Sequence, residues 1–320
     1  MTTIQGQDPR ARQAESSIPA LSGQDEAGGL GTALKTGRSL LLLQLLSRLL
    51  TFALNSALLR LSTPEVLGTA SIQFDLISAT ILFLSREGIR NALLRRDARS
   101  STRATAGQGK TSTGRADDRL ACVPLYQGLV VASAVSSLYL TTSSASTTSQ
   151  TDFHLSLGLY ILAALTELSI EPFYIRCLTS SPPCLRVRVQ AEGGMAMVKS
   201  VVTFAILYTR PQRALLGFGL GQAAGAGFLA ARYLWEYGLD GWIWVPRASE
   251  CVELKLESNR ADGSEPLFGN ETKALAIANT RQSLIKHLLT EADRIAVGRI
   301  SPLQDQGGYA IAMNYGALGT

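Results

Sequence analysis

The chain has 320 residues, 46% of them hydrophobic, and a formal charge of +5. Its mean hydropathy of +0.14 hides long polar stretches and several apolar runs near the roughly 20 residues that cross a bilayer, which sets aside a soluble two-domain protein. The bases flank the apolar runs, as in the positive-inside pattern of membrane proteins rather than a nucleic-acid footprint. The four cysteines without a CxxC pair and the two histidines leave no basis for structural zinc or a disulfide framework.

In chain order, residues 1–37 lack the basic start and apolar core of a signal peptide and read as a disordered cytosolic tail. The first span is expected over about 39–61, "SLLLLQLLSRLLTFALNSALLRL". Pro64 ends it, and Glu65 suits the first turn of a second span over 66–89. The basic, Ser/Thr/Gly-rich loop 95–119 is expected to be cytosolic and disordered. Further spans follow over about 120–141, 153–176, 189–209 and 213–236, so that 38–236 forms a first bundle of spans 1–6. The linker "TSSASTTSQTD" has no positive charge, as expected on the far side. A polar loop, 237–278, returns to the cytosol. Residues 279–320 hold a seventh span over 280–300, the most polar of the set, and the start of an eighth, "YAIAMNYGALGT". That last segment is expected to be cut short, which points either to a fragment or to a gene model that lost the C-terminal part. The fold class is therefore all-α: a polytopic membrane helix bundle of about seven spans plus a truncated eighth.

Two apparent nucleotide motifs carry nothing. "GKT" at Gly109–Thr111 has Ala104 where a phosphate loop needs glycine, and Gly225-Ala-Gly227-Phe-Leu-Ala230 follows no strand. Gly217, Gly221 and Gly225, four apart, instead read as a face that lets a neighbouring helix approach closely. No cofactor is expected.

Charges inside the spans carry the functional signal, because they are costly in lipid and face a bundle interior or a wet cavity. Gln44, Arg48, Thr51 and Asn55 share one stripe of the first span. Glu87 lies three residues from Arg90 and within reach of it, at the end of a span that also carries Arg86. Glu167, Glu171 and Pro172 sit in the fourth span, where Pro172 is expected to kink the helix beside Glu171. Glu192 and Lys199 share a face of the fifth and need partners on other helices. Lys286, Glu291, Asp293, Arg294 and Arg299 are too many charges for a lipid-exposed helix. Each set also has a plainer reading, an ion pair that holds the bundle or an anchor at the cytosolic interface. Charges of both signs, with no metal cluster, nucleophile triad or nucleotide loop, describe a transporter rather than an enzyme. The excess of cations suits a phosphate-bearing substrate.

"LLLLQLLSRLLTFALNSALLR", "LFLSREGIRNALLR", "TELSIEPFYIRC", "VRVQAEGGMAMVKSVVTF", "LIKHLLTEADRIAV" and "DQGGYAIAMNYGAL" resemble, in order and spacing, successive blocks of the Rft family. These are oligosaccharide translocation proteins of the endoplasmic reticulum. The resemblance implies a fold like the multidrug/oligosaccharidyl-lipid/polysaccharide exporters, with this chain covering the first half of a two-bundle protein. It implies a role in N-linked glycosylation: moving Man5GlcNAc2-diphosphate-dolichol from the cytosolic to the lumenal leaflet, or assisting that step. The family-matching positions are Arg48, Arg86, Glu87, Arg90, Glu171, Pro172, Glu192, Lys199, Lys286, Glu291 and Arg294, with Asn55 added from the stripe. Asp75, the insertion 96–118 and "VGRISP" depart from the family pattern. On this reading a Glu87-organised arginine cluster meets the diphosphate, the glycan passes a cavity lined by the Arg48 stripe, and the polyprenyl tail stays in the bilayer. The implied partners are the lipid-linked oligosaccharide and membrane lipid, without nucleic acid. The location is the endoplasmic reticulum membrane, N-terminus cytosolic. A drug or ion antiporter of the same superfamily and a non-transporting structural partner stand as alternatives.

Overall fold

Leu, Ala, Ile and Val runs punctuated by proline and glycine produce helices, and every regular element among the described residues is helical. The structure is a computed structural model that describes residues 49–50, 52–105, 122–179, 185–238 and 270–316. The tail 1–37, Gln44, Arg48, Thr51, residues 106–119 of the basic loop and most of the loop 237–278 lie outside the described residues. The helices below belong to the second of two units, Met1–Leu50 and Thr51–Thr320.

Helix α1 (Phe52–Leu61) is followed by a continuous helical rod. It comprises α2 (Pro64–Leu67), a π-helix (Gly68–Phe74) and α3 (Asp75–Thr105). Next come α4 (Val123–Thr142), the single turn α5 (Ala145–Thr148), α6 (Phe153–Ser169) and α7 (Glu171–Thr179). Then α8 (Leu185–Thr209) joins α9 (Ala214–Tyr237) through a 3-10 turn at Pro211–Arg213. The chain continues with α10 (Asn270–Thr290), α11 (Ala292–Ile300) and α12 (Leu303–Gly316).

Four segments are long and apolar enough to cross a membrane: Pro64–Leu94, Val123–Thr142, Arg186–Thr209 and Pro211–Tyr237. The pair Phe153–Ser169 and Glu171–Leu178, bent by 40°, makes a fifth if counted as one span. These are the second, third, fifth, sixth and fourth of the expected spans. The seventh is not among them: Glu291 divides it into α10 and α11, and α10, though 21 residues long, is too polar. The bend expected at Pro172 falls at Ile170. Pro172 then occupies the first turn of α7, where its missing N–H costs nothing. Two loops are shorter than expected. The run after Gly88 holds neither glycine nor proline before Gly107, so α3 continues to Thr105. The run "TKALAIA" likewise starts α10 at Asn270, inside the expected loop 237–278.

The core gathers on Phe74, whose ring lies 5.3 Å from Tyr160 and 5.5 Å from Phe153. The glycine face of α9 is borne out. A Cβ at Gly221 would meet Thr203 and the Lys199 carbonyl, and one at Gly225 the Met195 carbonyl, all on α8. Such contact replaces the hydrophobic drive that lipid removes. A second close approach joins the two proline-led helix starts. A Cβ at Gly68 would strike the Leu303 carbonyl, and one at Gly307 the Pro64 backbone. Helix α10 is turned inside out: Asn279, Ser283 and His287, four apart, are buried, while Ile285 and Leu289 are 60% and 75% exposed. His287 stacks on Phe83 of α3 at 4.7 Å, and its Nε2 lies 3.0 Å from the Thr80 hydroxyl. Polar groups inside and aliphatics outside suit lipid surroundings.

Gly221→Val should force α8 and α9 apart and cost about 1–3 kcal/mol, the usual range for overpacking. Gly227→Val, where a Cβ meets open space, should leave the midpoint unchanged. Thermal unfolding of both variants in detergent checks the difference.

Candidate functional site

Two groups of charged side chains lie within the bundle. The first is at the basic end, where α3 runs alongside α6 and α7. Glu171 begins α7 at the bend, which aims its carboxylate at α3. Arg90 donates to it through Nε at 2.5 Å and Nη2 at 2.7 Å. The side chains are only 16% and 2% exposed. The fork also covers the Tyr174 ring, with Cζ 4.0 Å from its centroid. One turn back, Arg86 approaches Glu167 at 3.9 Å. Arginine's planar fork matches a carboxylate in two bonds, so the Arg90 pair is the tighter of the two.

This arrangement corrects one expectation. Glu87 does not organise the arginines; its Oε1 accepts a 3.2 Å hydrogen bond from Asn91 Nδ2. Arg90 turns across the helix interface instead, because a bidentate bond in a dry site outweighs an i,i+3 contact on a half-wet helix face. Arg90 is thus fully engaged, and of the two family-matching arginines here Arg86 is the freer.

The second group lines a cavity of about 290 Å³ between α1, the π-helix, α8 and α12. Asn55, Asp75, Tyr160, Lys199, Arg294 and Asn314 face it. Lys199 Nζ lies 3.5 Å from Asp75 Oδ1, and both are about one-third exposed. Ser200 donates to Asn55 Oδ1 at 3.3 Å. Arg294 reaches the lining from α11, with its guanidinium 3.1 Å from Glu291. The lining therefore carries two cations and the carboxylate of Asp75, with Glu291 balancing Arg294 from behind.

The expected site residues divide between these places. Asn55, Lys199 and Arg294 come together in the cavity, with Glu291 behind Arg294. Arg86, Glu87, Arg90 and Glu171 gather at the basic end. Among the described residues Glu192 has no ion-pair partner on another helix; exposed on α8, it pairs with Arg188 one turn away at 2.9 Å. Lys286 lies on the exposed face of α10, away from both groups. Arg48 is outside the described residues. Tyr160 and Asn314 were not expected in a site; Glu167 was marked as a charge of the fourth span, and Asp75 as a departure that weakly favours the antiporter, but neither was named as a site residue. For Glu167 a signal existed: Glu167/Glu171 and Arg86/Arg90 share a four-residue spacing, as two parallel helices need to form paired rungs. Among the described residues no group of three or more metal-ligating side chains is present.

Breaking a buried ion pair leaves a bare charge and costs roughly 3–5 kcal/mol. Arg90→Leu and Glu171→Leu should each fall in that range. The double variant should lose clearly less than the sum of the two. A double-mutant cycle on unfolding in detergent measures this coupling.

The sequence model of a family described as Rft protein matches residues 32–320. The Man(5)GlcNAc(2)-PP-dolichol translocation protein RFT1 of Yarrowia lipolytica is 30% identical over 330 residues, covering 92% of this chain and 46% of the relative. The mouse protein of the same name is 28% identical over 90% of this chain and 52% of its own length. The Saccharomyces cerevisiae protein is 26% identical over 88% and 54%. The chain spans about half the length of the curated relatives it matches. No solved structure matches it.

Proposed function

The chain belongs to the Rft protein family, and from that premise we propose that it takes part in translocating Man5GlcNAc2-diphosphate-dolichol. The transfer runs from the cytosolic to the lumenal leaflet of the endoplasmic reticulum membrane, with the N-terminus cytosolic. The protein performs transport rather than a chemical reaction on the lipid, or acts as an essential accessory of that step. The observation that carries this reading is the cavity holding Lys199 and Arg294 against Asp75 inside a lipid-facing bundle. Two cations facing a cavity at membrane depth, each balanced by a single carboxylate (Lys199 by Asp75, Arg294 by Glu291), are costly unless they serve an anionic guest. A diphosphate fits it: Lys199 exchanges its 3.5 Å contact with Asp75 for phosphate oxygens. Arg294 offers a fork for a second phosphate, and Asn55 adds a hydrogen-bonding amide. The tail needs no protein pocket, since exposed aliphatics such as Val130 and Leu162 present the bundle to lipid. The basic end supplies positioning: Arg90 and Glu171 fix α3 against α7, and Arg86 stands at the rim for first contact.

Asp75 favours a second reading. An acid beside a lysine in a transmembrane cavity is also what a cation- or proton-coupled antiporter uses.

Yeast depleted of their own relative separate the two. The chain, extended by the second half of the yeast relative, should restore glycosylation of a reporter and clear the five-mannose lipid intermediate. Lys199→Met in that form should lower clearance at least about tenfold, equivalent to roughly 1.4 kcal/mol, whereas Lys286→Met should not. Failure of the stably expressed extended form would favour the antiporter.

A further inference from the structure

Ile72, buried on the π-helix, lines two cavities. One is the site described above. The other, about 540 Å³, opens toward the Ser/Thr-rich end, between α3, the end of α4, α5 and α11. Its wall is aliphatic, with Leu76, Val135, Leu138 and Ile295; its rim carries Ser144, Ser146, Ser301 and Arg299.

Most polar groups of this cleft are already satisfied. Tyr139 Oη donates to Gln73 Oε1 at 2.6 Å, and Gln73 Nε2 donates to Gln306 Oε1 at 2.7 Å. Gln306 Nε2 donates in turn to the Ser301 carbonyl at 2.9 Å. Ser144 shares its hydroxyl with Ser146 and Thr147. Arg299 differs: it is exposed, and no carboxylate among the described residues pairs with it. The cleft thus offers one unspent guanidinium and a hydroxyl rim at one end, and a dry aliphatic wall at the other.

That polarity selects its guest. A soluble anion would leave the wall unused, and a neutral lipid would leave Arg299 unused. A lipid carrying phosphate uses both, with its head on the arginine fork and its chain along the wall. Helix α11 connects the two cavities. Arg294 faces the first and Arg299 the second; five residues separate them, about 7.5 Å along the axis and roughly 140° around it. Ile72 stands between, on a π-helix, a geometry that recurs at functional sites.

The geometry points to this cleft as a second docking site for the lipid-linked diphosphate, reached after the Lys199 cavity and separated from it by Ile72. The inference rests on the transport reading for the identity of the lipid. The path then has two stations, and α11 supplies a cation to each.

The test is photolabelling of the chain in nanodiscs with farnesyl diphosphate bearing a diazirine on its last isoprene unit. Labels are located by mass spectrometry. Labelling at Leu138, Ile295 and neighbouring wall residues is expected. It should fall at least fivefold in Arg299→Gln, recover in Arg299→Lys, and persist in Arg294→Gln. Arg299 is exposed, so folding is not at stake; matching melting curves verify that. Wall labelling that is insensitive to Arg299, or equal with diazirine-bearing farnesol, overturns the site. Loss of the label to phosphatidylinositol at equal concentration overturns the assignment to a transported prenyl lipid. Yeast complementation by the extended form with no wall labelling sinks the cleft alone. Arg299-dependent labelling with failed complementation retains the cleft as a prenyl-diphosphate site and sinks the transport reading.

Discussion

Arg90 and Glu171 are tolerated in the interior of a bundle whose outside is Leu, Val and Ile because each satisfies the other in two bonds. Lipid offers neither of them water, so the pair dictates which helices are neighbours and in what register. Glu171 can face α3 only if α6 ends at Ile170, and Arg90 can meet it only if α3 runs parallel to α7. The Arg86–Glu167 rung then follows one turn away. The same rule places Lys199 beside Asp75 and His287 beside Thr80. These polar groups name their partners, and the aliphatics are left for the membrane.

Much of this was legible in the residues. Apolar runs located five of the expected spans, and three glycines spaced by four located the α8–α9 contact. The bend came from Pro172, displaced by two residues because proline is tolerated inside a helix start and not in its middle. Partner choice was not legible. Glu87 is the nearest acid to Arg90 along the chain, yet a carboxylate 81 residues away wins, since burial rather than proximity sets the strength of the bond. Glu192 and Lys199, alike by position on one helix, go opposite ways: Lys199 faces a neighbouring acid, while Glu192 stays at the surface with Arg188. The loop boundaries erred where alanine- and leucine-containing polar sequence kept helical geometry past the end of hydropathy. Helix α10 is a related case: its hydropathy is weak because the stripe buried against its neighbour is polar, Asn279, Ser283 and His287.

The π-helix left no trace in composition. It widens the start of the rod where Gly68 meets α12, and it carries Ile72 between two cavities and Phe74 at the centre of the aromatic cluster. Asp75, the first residue after it, is the cavity's acid. One irregular segment thus sets the seam with α12, the partition and the counter-charge, while α8 and α11 set the opposing cations.

The contact between the two proline-led helix starts also has a consequence in time. The Gln73–Gln306 bond that accompanies it spans 233 residues. A ribosome adding about 5–20 residues per second needs roughly 10–50 s to make that stretch. Throughout that interval the Gly68 backbone and the Gln73 amide are already synthesised and their partners do not exist. The first helices must therefore wait beside the translocation machinery, their seam screened by lipid or by a chaperone, until α12 arrives.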